Sequence, residues 1–176
     1  MMDINLRLPF HLTNIFFPFL EKSQGCIVNV SCMHGNIPTQ GTISYNMTKA
    51  GLEMLTKAAA LEYAPFGIWV NAVAPAPVET NLYRYSGLNI FEYNGFKSRA
   101  AENNPLKRLC MPEEVAKAIT FLTSDKAETI TGHVLSVSGG RHIAPHGFWD
   151  WYGSEKMDRW FEPSSSGLRK TWINIK

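Results

Sequence analysis

The sequence predicts an α/β fold built on a parallel sheet. Three short apolar runs rich in β-branched residues, at 27–30, 69–73 and 133–137, have the length and composition of buried strands. Segments with apolar residues at helical spacing, over 44–64 and 112–124, separate these runs. Strands that alternate with helices form parallel sheets with right-handed crossovers, so a parallel sheet covered by helices is expected.

A further helix is predicted over 3–22, ahead of the first strand. Residues at close to helical spacing carry this prediction, namely Leu6, Phe10, Thr13, Phe17 and Leu20. Pro18 counts against an unbroken helix, because a late proline removes a backbone hydrogen bond and indicates a kink or an end. The helix over 44–64 ends ahead of Pro65, and Pro112 suits the first turn of the helix over 112–124.

Two stretches lack a regular pattern. Residues 81–104 are polar and aromatic without a clean period, and we interpret them as a loop with short helices. Residues 141–176 form an aromatic-rich tail, which is either an ordered arm or a disordered end. His142 and His146 are four residues apart in this tail, but Pro145 breaks the helix that would align them, so no metal site is predicted.

Composition excludes several classes of protein. The chain has 176 residues, of which 45% are hydrophobic and 18% charged, as in globular domains. A net charge of +2 without a dense Lys/Arg run argues against a nucleic-acid partner. The apolar stretch over 15–20 is too short to cross a bilayer and no cleavage signal follows it, so neither a membrane segment nor a signal peptide is predicted. Three cysteines without metal-ligand spacing indicate a reducing compartment, and we expect a cytoplasmic protein.

Tyr45 and Lys49 are the first candidates for chemistry. Four residues apart on a predicted helix, they lie on one face. A phenol is a poor acid or base at neutral pH, but a nearby ammonium favours the phenolate and lowers the phenol pKa. The pair can therefore exchange the proton of an alcohol and a carbonyl. A Tyr-x-x-x-Lys pattern on its own also occurs as two partly exposed helix residues.

Five ordered segments give this pattern a context. They are INL, GCIVNVSCMHG, YNMTKAGLEMLTKAAALEYAPFGIWVNAVAPAPVET, PEEVAKAITFLTS and ITGHVLSVSGG. From about Asn5 to Gly140 the chain resembles the short-chain dehydrogenase/reductase family. The resemblance implies the C-terminal part of a Rossmann-type doubly wound parallel sheet over 1–140, with the last three strands as parallel neighbours in chain order and flanking helices. It also implies an oxidoreductase that uses NAD or NADP on a small alcohol or carbonyl substrate.

The resemblance assigns roles to individual residues. Tyr45 matches the catalytic tyrosine, and Lys49 matches the lysine that lowers its pKa and binds the nicotinamide ribose. Asn5 matches an asparagine that holds a water linking the lysine to solvent, although a plain helix cap is the alternative. Val78 and Thr80 match residues that fix the nicotinamide carboxamide.

Two positions depart from the family pattern. Cys32 stands where the family has its catalytic serine, thirteen residues before the tyrosine, and a thiol is a weak hydrogen-bond donor. Ser31 is one residue away, and near a strand such a shift turns the side chain to the other face. The alternative for Cys32 is a small buried filler. At the cofactor-binding turn after the second strand, Pro75 is followed by Ala76 instead of glycine, which restricts close ligand approach and unusual dihedral angles.

The glycine-rich turn that cradles a dinucleotide pyrophosphate has no counterpart in the sequence. We therefore expect the chain as given to bind NAD or NADP weakly and to be inactive. A non-catalytic module for dimerisation or binding is the alternative. In the family, the helices matching 3–22 and 44–64 form a four-helix bundle with their symmetry mates, which predicts a homodimer. Aggregation through an uncovered strand at 27–30 competes with that dimer.

Overall fold

A computed structural model describes residues 1–82 and 87–144. Strands β1 (Cys26–Val30), β2 (Trp69–Pro75) and β3 (Val134–Val137) form one parallel sheet in the order β1-β2-β3. The predicted parallel order is confirmed. Most of the tail over 141–176, including His146, lies outside the described residues, as do residues 83–86.

Four α-helices accompany the sheet in the described part of the chain. They are α1 (Leu8–Ser23), α2 (Ile43–Tyr63), α3 (Ile90–Glu102) and α4 (Pro112–Leu122). A π-helical segment, Asp3–Arg7, leads into α1, and a 3-10 turn, Met33–Gly35, follows β1.

Alternating side chains of the sheet build two apolar layers. On one face, Ile27 and Val70 pack with Ala59, Ala60 and Tyr63 of α2 and with Phe17 and Leu20 of α1. On the other face, Val28 and Val73 pack with Leu122 and Val115 of α4. Helices thus cover both faces of a parallel sheet, which is the doubly wound arrangement that the sequence predicts.

The centre of the sheet is the best buried part of the fold. Five consecutive residues of β2, 70–74, are buried, whereas β1 is only partly buried along its length. Asn71, which is fully buried, donates to the Ile130 carbonyl at 2.6 Å and accepts from the His133 backbone N–H at 3.0 Å. Its side chain therefore ties β2 to the turn that precedes β3.

The predicted helix over 3–22 is confirmed as the π-helical segment followed by α1, and Pro18 does not end it, since α1 continues to Ser23. Phe17 and Leu20, on either side of Pro18, pack against the core. One local prediction is wrong. Residues 81–104 contain the 13-residue helix α3 instead of short helices. Its start is fixed by a capping box, in which Asn89 and Glu92 each accept the other's backbone N–H at 3.0 Å.

Candidate active site

The loops after β1 and β2 meet at the carboxyl edge of the sheet. Met33, Ala76 and Cys110 form a small buried cluster there, and Cys32 and Val78 pack against it. Ligands of open α/β sheets bind outside the carboxyl ends of the strands. This edge is therefore the place to look for a site.

The structure brings Tyr45, Lys49 and Cys32 together at this edge. Tyr45 lies in the first turn of α2 and Lys49 one turn later, with the Lys49 Nζ 5.6 Å from the centre of the Tyr45 ring. Tyr45 also lies beside the Cys32 thiol, and a hydrogen bond from its side chain acts to lower the pKa of that thiol. Lys49 also donates to the carbonyl of Val30 at 2.9 Å, which fixes its ammonium at the end of β1.

Burial sets the electrostatics of this cluster. It lowers the pKa of Lys49, an effect that Cys32 opposes. It also raises the pKa of the Cys32 thiol, although the His34 backbone N–H, the Tyr45 hydroxyl and the Lys49 charge each favour the thiolate. Cys32 is therefore a neutral thiol near pH 7, suited to a hydrogen bond and poorly suited to nucleophilic attack.

Ser31 faces away from Tyr45. Its hydroxyl donates to the buried Glu53 carboxylate at 2.9 Å, and its own side chain is 3% exposed. Cys32, and not its neighbour, thus occupies the position beside the tyrosine, as the alternation of side chains along an extended chain predicts.

His34 is a neighbour of Tyr45 that the sequence analysis missed. Its ring lies edge-on to the Tyr45 ring with the centroids 6.4 Å apart. Burial, helped by the charge of Arg141, lowers the pKa of His34 to about 4, so the imidazole is neutral at physiological pH. Apart from Cys32, it is the one titratable side chain in the segment 31–42 between β1 and α2, and that is the signal that could have found it.

Asn5 is not hydrogen-bonded to this cluster among the described residues. It lies in the π-helical segment, and its side-chain amide donates to the Met1 carbonyl at 3.2 Å. π-Helical turns are rare in proteins and are frequently found at functional sites.

The predicted cofactor-binding residues follow β2. Pro75 is its last residue and pairs with Val137, while Val78 forms an isolated parallel bridge with Cys110. The Thr80 hydroxyl accepts from the Leu82 backbone N–H at 3.3 Å. Ala76 is 4% exposed within the core, and its backbone does not adopt the left-handed region. The described conformation therefore does not need the glycine that the family has at this position.

A second feature of the structure is an apolar groove beside α2. It has a volume of about 540 Å³ and lies between the π-helical segment, α1 and α2. Gly51 lets the π-helical segment lie close to α2, because a Cβ at residue 51 would be 2.9 Å from Leu6 Cδ2. The groove is lined by Met2, Asp3, Leu6, Arg7, Phe10, Gly51, Met54, Leu55 and Ala58.

Two other features, a membrane-spanning helix and a metal-ligand cluster, do not occur in the parts of the chain that the structure describes. Within residues 1–82 and 87–144, no helix is long and apolar enough to cross a membrane. Over the same ranges, no three His, Cys, Asp or Glu side chains come together as metal ligands would.

Known proteins resemble both the sequence and the fold. The model of a protein family described as enoyl-(acyl carrier protein) reductase matches residues 1–142. A 3-oxoacyl-(acyl-carrier-protein) reductase of Buchnera aphidicola is 36% identical over 143 residues, which are 81% of this chain and 56% of that protein. A 3beta-hydroxysteroid dehydrogenase of Eggerthella lenta is 40% identical over 130 residues, or 72% of this chain and 48% of that protein.

The solved structures agree with these relatives. The ligand-free aldohexose dehydrogenase of Thermoplasma acidophilum superposes with a TM-score of 0.76 at 34% identity, covering 81% of this chain and 58% of that one. The chain spans about half the length of the curated relatives that it matches.

Proposed function

Because the chain belongs to the short-chain dehydrogenase/reductase family, we propose that it forms the catalytic half of an NAD- or NADP-dependent oxidoreductase that interconverts an alcohol and a carbonyl. One observation carries the proposal: the Tyr45 hydroxyl, the Lys49 ammonium and the Cys32 thiol lie together at the carboxyl edge of the sheet. The names of the relatives support the same substrate class, since a 3-oxoacyl group, a 3β-hydroxysteroid and an aldohexose all undergo this interconversion.

Each residue has a distinct role in this proposal. Tyr45 gives a proton to the carbonyl oxygen or removes it from the alcohol, and Lys49 favours the phenolate through its charge. Cys32 orients the substrate oxygen, less effectively than a hydroxyl would, because a thiol is a weak donor. Asn5 supports Lys49 through a water. A nicotinamide held beside these residues would supply or accept the hydride.

The described residues fit one half of a dinucleotide. Lys49 and Tyr45 offer donors for the nicotinamide ribose, and the segment from Pro75 through Val78 to Thr80 runs past the same edge and would hold the nicotinamide ring. The described residues contain no strand that leads through a glycine-rich turn into a helix N-terminus, which is the structure that binds the pyrophosphate.

Weak dinucleotide binding follows for the 176-residue chain alone. We expect calorimetric titration with NAD or NADP to give a dissociation constant weaker than about 1 mM, because the nicotinamide half supplies few of the contacts that a dinucleotide needs. Micromolar affinity would contradict this assignment of the two halves.

The proposed activity is tested in a fusion protein. The segment of the Buchnera reductase that precedes its match to this chain is placed ahead of residue 1. Initial rates are then measured with NADH and NADPH on 3-oxoacyl, ketosteroid and simple ketone substrates. Turnover of at least one carbonyl is expected. A fusion protein that binds dinucleotide and reduces none of them would contradict the proposal.

A non-catalytic module that dimerises or binds a partner is the second candidate. It is favoured by the apolar groove between α1 and α2 and by the replacement of the family's serine by Cys32. Both candidate functions include a homodimer, which we propose to form through this groove and its symmetry mate. They differ in whether the protein turns over a substrate. A cytoplasmic location stays a prediction.

A further inference from the structure

Glu53 is a buried carboxylate one helical turn beyond Lys49. It is 8% exposed and accepts the hydrogen bond from the Ser31 hydroxyl at 2.9 Å. A carboxylate on a helix is normally solvated, and its burial is costly unless hydrogen bonds compensate. Burial raises the pKa of Glu53, and the Ser31 hydrogen bond and the charge of Lys57 act in the opposite direction.

The partner of Glu53 is the residue immediately before Cys32. Ser31 continues the sheet by donating its backbone N–H to the Val73 carbonyl at 2.8 Å. Its side chain then turns onto α2 and contacts Glu53. This point is the first attachment of the loop that carries Cys32 and His34.

A second attachment lies at Gly35. A Cβ at this position would stand 2.5 Å from Glu53 Oε1 and 3.0 Å from the backbone carbon of Lys49. The loop backbone therefore rests directly on α2 between Lys49 and Glu53, with no room for a side chain. Ser31 and Gly35 flank Cys32 and His34 on either side; Ser31 is hydrogen-bonded to the Glu53 carboxylate, and the Gly35 backbone lies against it.

We infer that Glu53 is a positioning residue, which holds the 31–35 loop at both ends so that Cys32 and His34 face Tyr45. Its consequence for catalysis rests on the proposed function, whereas the positioning itself does not. Without Glu53, Ser31 keeps only its longer, 3.5 Å hydrogen bond to the Lys49 carbonyl, and Gly35 loses the surface on which it rests. The thiol then moves from the Tyr45 hydroxyl towards solvent.

Alkylation of Cys32 measures this position directly in the 176-residue chain. The rate of reaction with iodoacetamide is followed for each cysteine by peptide mass spectrometry at one pH. Cys26, the first residue of β1, is the internal reference. Loss of a bond that only stabilises the fold would raise both alkylation rates together through unfolding. The ratio of the Cys32 rate to the Cys26 rate therefore reports the movement of the 31–35 loop alone.

Four variants separate the hydrogen bond from the charge. Ser31→Ala and Glu53→Ala are each expected to raise the ratio about tenfold or more, and the double variant no further, because both remove one bond. Glu53→Gln keeps an acceptor for Ser31 and removes the charge, so its ratio stays within about threefold of the parent. Glu62→Ala, an exposed carboxylate on the same helix, is the matched control and leaves the ratio unchanged.

Two results would overturn the inference. One is an unchanged ratio in Ser31→Ala, and the other is a rise in Glu53→Gln as large as that in Ser31→Ala. Should Glu53→Ala fail to fold, Gly35→Ala displaces the carboxylate without removing a polar group and is expected to raise the ratio as well. The assay needs no turnover, so an inactive fusion protein would refute the proposed function and leave this result standing.

Discussion

Helices α1 and α2 pack against each other but differ in what covers them. Phe17 of α1 and Tyr63 of α2 are in ring contact at 4.8 Å. Eight residues of α2 are buried by the sheet and the loop after β1, whereas Thr13 is the one buried residue of α1. Large apolar side chains of α1 are exposed instead, including Phe10, Ile15, Phe16 and Phe19.

This difference separates the two tasks that we propose for the chain. The contacts of α2 lie within the chain and fix Tyr45 and Lys49 relative to Cys32, so the geometry of the site is determined locally. The exposed apolar side chains of α1 indicate a contact with another surface. Changes on the sheet-facing side of α2 should therefore alter chemistry and pH response, and changes at the groove between α1 and α2 should alter association.

The largest expected effect concerns His34 on the buried side. With its pKa lowered to about 4, folded His34 stays neutral while the unfolded chain takes up a proton near pH 6.5. Stability from this group is therefore intact above pH 6.5 and is lost as the pH falls towards 4, by roughly 3 kcal/mol in total. Urea unfolding of the parent and of His34→Asn between pH 7 and 4 measures it.

The His34 variant should lose less stability than the parent over that range. His133→Asn, which replaces an exposed histidine, is the control and should follow the parent. Parallel curves for the parent and His34→Asn would show that the folded protein protonates His34 freely, which would contradict the lowered pKa.

The second effect concerns the groove beside α1. Met54 lines it and is 63% exposed, and in a two-fold dimer each substitution appears twice. We expect Met54→Lys to weaken the dimer at least about 30-fold, since two buried ammonium groups cost about 1 kcal/mol each or more. Size-exclusion chromatography with light scattering over a concentration series measures the dissociation constant.

Leu61 supplies the matched control for the groove. It lies on the same helix, is 80% exposed and is outside the groove, so Leu61→Lys should leave the dimer intact. A parent that is monomeric at micromolar concentration would contradict the dimer. Polydisperse aggregates would instead indicate that the uncovered edge of β1 dominates association.

The smallest expected effect is a change in turnover when Cys32 is replaced by serine. In the fusion protein, Cys32→Ser should raise turnover of a carbonyl substrate at least about tenfold, or roughly 1.4 kcal/mol, because a hydroxyl donates a better hydrogen bond than a thiol. The same substitution at Cys26 should change nothing. A loss of turnover in Cys32→Ser would mean that the thiol itself is the working group.

Much of the sheet follows from the sequence, because β-branched runs mark buried strands wherever helices cover both faces. The meeting of Tyr45, Lys49 and Cys32 follows from helical spacing and from the family resemblance. Helix α3 was missed because its buried stripe of Tyr93, Phe96 and Ala100 is short and interleaved with polar residues. Contacts across the fold, such as that of Glu53 with Ser31, leave no local pattern, since the sequence does not distinguish a buried carboxylate from a solvated one.

Turnover of the fusion protein with Tyr45→Phe tests the central claim most directly. The variant removes one oxygen atom, and Tyr63→Phe removes the same atom from a buried tyrosine of the same helix, whose hydroxyl lies 3.4 Å from Asn14 Oδ1. If Tyr45 transfers the proton, its variant lowers kcat by about 10²- to 10⁴-fold, while the Tyr63 variant stays within about threefold of the parent. A Tyr45→Phe protein that is folded and retains the parent's kcat would contradict the account.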